Sequence, residues 1–312
     1  MPGMRFSVLS GIVHSAADIK GLRDMNEVFQ ILHDVGYDTV DIGLADHNAP
    51  GFILAQEDWQ QRADELANTA ARLGIKVAQS HLPYAKKGGF DLDPKGKDPA
   101  YREYFAEMLR RGYVVCGMLG VPYATVHPNT YLDAVASTEI QCKRNLEYYD
   151  EFVEWGIRHG VGTAFENMRP ESPTWQFPGR YCQYYRDLIE LVDSFDDPMV
   201  GICLDTGHAN HANMKPDRAV HAFGPRLKNL HINDNHYGCR DEHLLPFMGE
   251  NDWESFLQAL VDIDYQGVLN YEVGMVAKRM PTVLQWEMMK SVHESGRLFC
   301  QMYDQIRARS GK

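Results

Sequence analysis

Apolar runs of strand length alternate with amphipathic runs of helical length along this chain, and the alternation recurs eight times. Strands are expected near 5–13, 39–44, 76–82, 122–127, 161–166, 199–205, 227–232 and 267–272. Helices are expected near 22–35, 57–73, 99–118, 137–159, 181–194, 216–223, 252–263 and 282–308. Gly36, Gly74, Gly120 and Gly160 each stand after a helical run and before the next strand, where a left-handed cap residue belongs. Eight strand–helix units with repeated punctuation describe a parallel (β/α)8 barrel of the TIM type, and 312 residues suit one such domain over 1–312. The connections after strands are long, notably Pro83 to Pro99, Asn167 to Arg180 and Asn233 to Asn251, whereas those after helices are short. That asymmetry is expected where the loops at the carboxyl ends of the strands build a site.

Composition excludes several classes. The 44% apolar and 24% charged residues are those of a soluble globular protein, and no stretch approaches a membrane span. The apolar run Phe6 to Val13 has little positive charge before it and no cleavage pattern, so it reads as the first strand. Six cysteines without CxxC pairing fit buried thiols in a reducing cytoplasm. With 31 basic against 43 acidic side chains, the formal charge of −12 disfavours nucleic acid as a partner. The last helix, with Trp286, Met289, Val292, Leu298 and Met302 spaced for an apolar face, either closes the barrel or packs on a second copy, so a homo-oligomer is open.

Four expected strands of the second half end in Glu166, Asp205, His231 and Glu272. In a parallel barrel all those ends open on one face, so residues distant in sequence can converge. A carboxylate ending a buried strand costs several kcal/mol unless it is paired, protonated or bound to a metal. An ion pair accounts for one such acid as well as a metal does, but four metal-capable residues at four consecutive strand ends, with few Lys or Arg nearby, favour the metal. Oxygen ligands with one imidazole suit Mn²⁺, Mg²⁺ or Co²⁺ and tolerate Zn²⁺, with manganese the first choice. His81 and His127 close the third and fourth strands and are expected to line the substrate pocket, a structural histidine being the bland reading of either one. His208 either contacts substrate and carries a proton or orients Asp205, Arg240 clamps an oxygen-rich substrate or is a solvated loop residue, and the Pro83 to Pro99 loop is a lid or a surface excursion.

The segments Phe165-Glu-Asn167, Cys203-Leu-Asp-Thr-Gly-His208, His231-Ile-Asn-Asp234, Asp241-Glu-His-Leu-Leu-Pro246 and Tyr271-Glu272 closely resemble the xylose isomerase-like superfamily of sugar phosphate isomerases and epimerases. The resemblance covers essentially the whole chain. It implies one divalent ion held by Glu166, Asp205, His231 and Glu272, with Glu166 and Glu272 also acting as acid and base. The implied reaction is isomerisation or epimerisation of a small sugar or polyol derivative, by proton abstraction beside a carbonyl through an enediolate that the ion stabilises. Three other readings share the scaffold. Inosose-type dehydratases and C-glycoside β-elimination subunits begin with the same proton abstraction. The endonuclease IV branch binds three zinc ions through residues matched here by His81, His127, Glu166, Asp205, His208, His231, Asp241, His243 and Glu272. A non-catalytic sugar-binding protein is the last. The loop from Asn167 to Phe177 departs from the better-known ketose 3-epimerases, so their substrate contacts there are not carried over.

Overall fold

A computed structural model describes residues 3–14, 24–45, 51–84, 99–131, 134, 137–170, 179–236, 241–278 and 280–312. In chain order the elements are β1 (Phe6–Leu9), α1 (Gly11–His14), α2 (Met25–Val35), β2 (Thr39–Gly43), α3 (Trp59–Leu73), β3 (Lys76–His81), α4 (Pro99–Met118), β4 (Tyr123–Val126), α5 (Thr138–Arg158), β5 (Gly162–Glu166), α6 (Tyr185–Ser194), β6 (Val200–Asp205), α7 (Thr206–His211), α8 (Pro216–Phe223), β7 (Leu227–His231), α9 (Trp253–Asp262), β8 (Leu269–Tyr271), α10 (Gly274–Lys278) and α11 (Thr282–Arg309).

All eight strands are parallel, with neighbours in sequence hydrogen-bonded from β1 to β7 and β8 paired on β1. The circle is completed beyond the end of β7, where the Ile232 amide donates to the Asn270 carbonyl (2.8 Å) and the Glu272 amide to the Ile232 carbonyl (3.0 Å). This is a (β/α)8 barrel. Its apolar core lies between strands and helices, with Val8, Val40, Phe165, Leu204 and Leu230 fully buried. The four glycines expected to cap helices all take positive φ, at 121°, 69°, 69° and 74°, where a Cβ would be strained.

The first strand is shorter than expected. Strand geometry stops at Leu9, and the Ser10 carbonyl accepts from the Val13 amide, turning Gly11–His14 into one helical turn that still buries Ile12 and Val13. An apolar run does not distinguish a strand from a buried helical turn. The last helix also differs in phase. Met289 and Val292 are buried as expected, but Trp286 and Leu298 are exposed, and Phe299, Tyr303 and Ile306 make the buried face instead. Among the described residues five cysteines are free and buried, Cys239 lies outside them, and no helix is long and apolar enough to cross a membrane. The lid expected around Lys86 to Gly89 also lies outside the described residues.

Candidate metal centre

Glu166, Asp205 and His231 are the final residues of β5, β6 and β7, and Glu272 follows β8 directly. Register does the first part of the assembly, because Asp205 is paired with His231 and Glu166 with Cys203 across the ladders. One ligand-type atom from each of Glu166, Asp205, His231 and Glu272 lies within 4.8 Å of the others. His231 Nδ1 sits 3.2 Å from Glu166 Oε1 and 3.1 Å from Glu272 Oε2. The side chains of Asp205 and His231 are fully buried and that of Glu166 is 1% exposed, whereas that of Glu272 is 17% exposed toward the mouth.

Glu166 Oε2 and both ring nitrogens of His231 are buried without a hydrogen bond of ordinary geometry, although several oppositely charged atoms stand within 4 Å. Among the described residues, no lysine or arginine pairs with any of the three carboxylates. Two buried acids, a third at the mouth and one buried imidazole, with no Lys or Arg paired to them among the described residues, fit a divalent cation of hard character. The fit concerns the donor set, which is equally open to manganese, magnesium, cobalt and zinc.

Asp205 is held on both oxygens. Oδ1 accepts from the His208 amide (2.7 Å) as the cap of α7, and Oδ2 accepts from Asn233 Nδ2 (2.9 Å). Asn167 adds a reciprocal pair, donating from Nδ2 to the Asp205 carbonyl (3.0 Å) and accepting the Asp205 amide on Oδ1 (2.7 Å). A Cβ on Gly207 would collide with Asn233 Oδ1, so the close approach of α7 to this asparagine requires glycine. Gly207→Ala is therefore expected to displace Asn233 and weaken divalent-ion affinity by about 10–100-fold, as loss of a partner behind a ligand does. Calorimetric titration with Mn²⁺ checks it, and unchanged affinity contradicts it.

His81 and His127 face the same mouth and meet at Glu166. Their Nε2 atoms are 3.1 Å apart and lie 3.4 and 3.1 Å from Glu166 Oε2, forming a second group whose ligand-type atoms lie within 4.8 Å. The Tyr84 ring covers His127 at 4.3 Å between centroids. His208, expected on a strand-to-loop turn, lies in the first turn of α7, its Nδ1 2.8 Å from the Asn167 carbonyl. His81 Nδ1 stands 2.9 Å from the Leu82 carbonyl, and His243 Nδ1 2.9 Å from the Glu272 carbonyl. A carbonyl only accepts, so each of these rings carries a proton on Nδ1, and its Nε2 is turned toward a carboxylate. For His208 and His243 that carboxylate is Asp241, at 3.7 and 3.1 Å. His243 holds this place with left-handed backbone (φ 48°), a conformation that costs a side-chain-bearing residue about 1 kcal/mol. Arg240 lies outside the described residues, and a different arginine, Arg169, pairs with Asp241. Sequence reasoning missed Arg169, whose only signal was its place just beyond a strand-end carboxylate.

Burial alone would raise the Glu166 carboxyl, but the rings of His231 and His127 hold it well below the usual range. Burial opposes the same effect at Glu272, which His231 and His243 hold at about 2. Asp205 goes the other way. Burial, opposed by His208 and reinforced by Glu272 and Glu166, pushes it up to about 6. Against burial, Asp205 and Asp241 carry His208 up to about 9. Protonated imidazoles thus neutralise the carboxylates when no cation does, and a cation entering the cluster releases protons. The sign follows directly. Asp205 and His208 both keep a proton to higher pH than in the unfolded chain, so stability falls with rising pH from the ordinary carboxylate range through 6 and again from 6.5 through 9. Thermal denaturation of the metal-free protein is expected to show a midpoint declining between pH 6.5 and 9, with Mn²⁺ raising it more at the alkaline end. A rise independent of pH contradicts this.

A (β/α)8 barrel with a carboxylate–imidazole cluster at the carboxyl ends of β5 to β8 places a group able to hold a cation at the face where such barrels carry their sites. More particularly, residues 20–288 match the model of the xylose isomerase-like TIM barrel, and the chain belongs to that family. It matches 54% and 62% of the lengths of two uncharacterised curated relatives. D-psicose 3-epimerase of Enterocloster bolteae is 32% identical over 92 residues, 30% of this chain and 29% of that one. Among solved structures, a D-tagatose 3-epimerase-like protein superposes with a TM-score of 0.71 at 21% identity, covering 99% of this chain and 100% of the other. The IOLI protein, solved with a zinc atom, superposes with a TM-score of 0.71 at 17% identity, covering 98% and 99%. At these identities the structural likenesses establish the fold.

Proposed function

We propose that this chain is a divalent-metal-dependent isomerase or epimerase of a small sugar or polyol derivative, working by proton transfer at a carbon beside a carbonyl. The convergence of Glu166, Asp205, His231 and Glu272 at the mouth carries the reading. Sugar-epimerising and sugar-processing relatives of the same family support it. Glu166, Asp205, His231 and Glu272 hold the ion, with Mn²⁺ the first choice and Zn²⁺ supported by one structural neighbour. A bound ion supplies positive charge where a substrate oxygen becomes negative as the adjacent carbon loses its proton.

Everything else is supplied by the chain. Glu272, the most exposed of the four, takes the proton. Its hold at about 2 keeps it ionised at the expense of basicity, so the acidity of the carbon-bound proton would have to come from the positive charge of a bound ion. Glu166, ionised at rest, returns a proton that it first takes from a neighbouring imidazole, His127 Nε2 standing 3.1 Å from its Oε2. His81, His127 and Tyr84 wall one side of the mouth and offer ring nitrogens to substrate hydroxyls. His208 stands beside Glu166 and Asp205, where it contacts substrate and relays protons.

The His81–His127–Glu166 group favours a second reading, the multi-zinc nuclease. Against it, Asp241, one of the nine residues matched to that branch, is already paired with the Arg169 guanidinium, where a cation would have to displace a positive charge. Incubation of the Mn²⁺-loaded protein in deuterated water with ketoses, keto-glycosides and inososes separates the readings by NMR. Deuterium beside the carbonyl is the expected result. Loss of water or aglycone moves the assignment to a lyase, and nicking of an abasic duplex without any exchange overturns it.

A further inference from the structure

Asp41 is a carboxylate in the middle of β2, and its side chain is completely buried within the barrel. Oδ2 accepts from Gln79 Nε2 and Asn270 Nδ2, both at 2.9 Å. Both donors are neutral amides, and among the described residues no lysine or arginine pairs with this acid. Oδ1 has no hydrogen-bond partner. Desolvating a charge costs several kcal/mol unless a strong donor or countercharge meets it, so two amides leave Asp41 short of compensation. Facing it, 3.6 Å from Oδ2, is Nε2 of His231, which also lacks a partner.

We propose that Asp41 is a positioning residue for the metal centre: it takes the Nε2–H of His231 and so fixes the tautomer that turns the Nδ1 lone pair toward the ion. Three observations converge on it. Nδ1 is the nitrogen that faces Glu166 and Glu272, at 3.2 and 3.1 Å, so Nε2 is left for a partner behind the ring. The opposite tautomer would set an imidazole lone pair against a buried carboxylate and aim an N–H at the place of a cation. The His81 ring stacks on His231 at 5.4 Å and 13°, fixing the ring plane, and Gln79 Nε2 bridges Asp41 to the Leu230 carbonyl (3.0 Å), tying β2 to the residue before His231. At 3.6 Å the pair is longer than a hydrogen bond, so the proposal requires the ring to move toward Asp41 when Nδ1 is ligated. A carboxylate behind a ligating imidazole also raises its basicity and hence its affinity for the ion.

The inference rests on His231 being a ligand, as proposed above, but not on any reaction. Asp41→Asn keeps the volume and an acceptor while removing the charge. Its Mn²⁺ affinity by calorimetry is expected to fall about 10–100-fold, read on protein whose circular dichroism matches that of the wild type. A second measurement needs no variant. In the Zn²⁺-loaded wild-type protein, long-range ¹H–¹⁵N spectra should show His231 with a protonated Nε2 and a metal-bound Nδ1. Undiminished affinity in Asp41→Asn, or an unprotonated Nε2 in the wild type, overturns the role of Asp41 while leaving the metal site standing. Failure of the wild-type protein to bind any divalent ion overturns both.

Discussion

Glu272→Gln is expected to slow exchange of the carbon-bound hydrogen by about 10²–10⁴-fold, the range in which a positioned acid or base contributes. The replacement preserves shape and removes both charge and basicity. Of the four carboxylate and imidazole ligands, Glu272 has the side chain that reaches the mouth, at 17% exposed against 1% or less for the others, so it is the one that a substrate meets. Because an amide oxygen can still serve as a weak ligand, ion binding should be reduced rather than abolished, and circular dichroism should be unchanged. Turnover equal to that of the wild type would remove Glu272 from the chemistry.

His231→Ala is the change with the largest expected effect on stability. The imidazole separates Glu166 Oε1 from Glu272 Oε2; burial opposes its charge, but Glu166 and Glu272 raise it well above its ordinary pKa. Without it, buried carboxylates face one another across a cavity. Removing one partner of a buried charge pair costs about 3–5 kcal/mol. Denaturant titration should read that loss in the metal-free protein, and Mn²⁺ should no longer raise the melting temperature. A variant as stable as the wild type, still stabilised by the ion, contradicts the placement of His231 at the centre of the cluster.

The barrel was legible because its periodicity is local and repeated. Strand-length runs ending at Glu166, Asp205 and His231 match the observed strand ends, and the helix-capping glycines adopt the conformation for which glycine is needed. The errors fall where local pattern is ambiguous. Ile12 and Val13 satisfy burial in a helical turn as well as in a strand, and α11 carries more apolar residues than its buried face can take, so Phe299 and Tyr303 displaced Leu298.

The site was legible only in its first layer. Strand-end acids and histidines announce themselves because parallel topology gathers them. The groups behind them do not, since an asparagine such as Asn233 or a mid-strand acid such as Asp41 acquires its role only through strands that meet in space. Asp41 did carry one signal, a charged residue flanked by Val40 and Ile42 in a strand whose other residues are apolar or small. Arg169 carried only its place just beyond the strand that ends in Glu166, because its partner Asp241 is 72 positions away.

Anomalous X-ray scattering from crystals loaded with Mn²⁺ tests the shared-ion site most directly. One strong peak within coordination distance of Glu166, Asp205, His231 and Glu272 together is the predicted result. A peak bound by His81 and His127 without Asp205 and Glu272, or no peak at the barrel mouth, would contradict it.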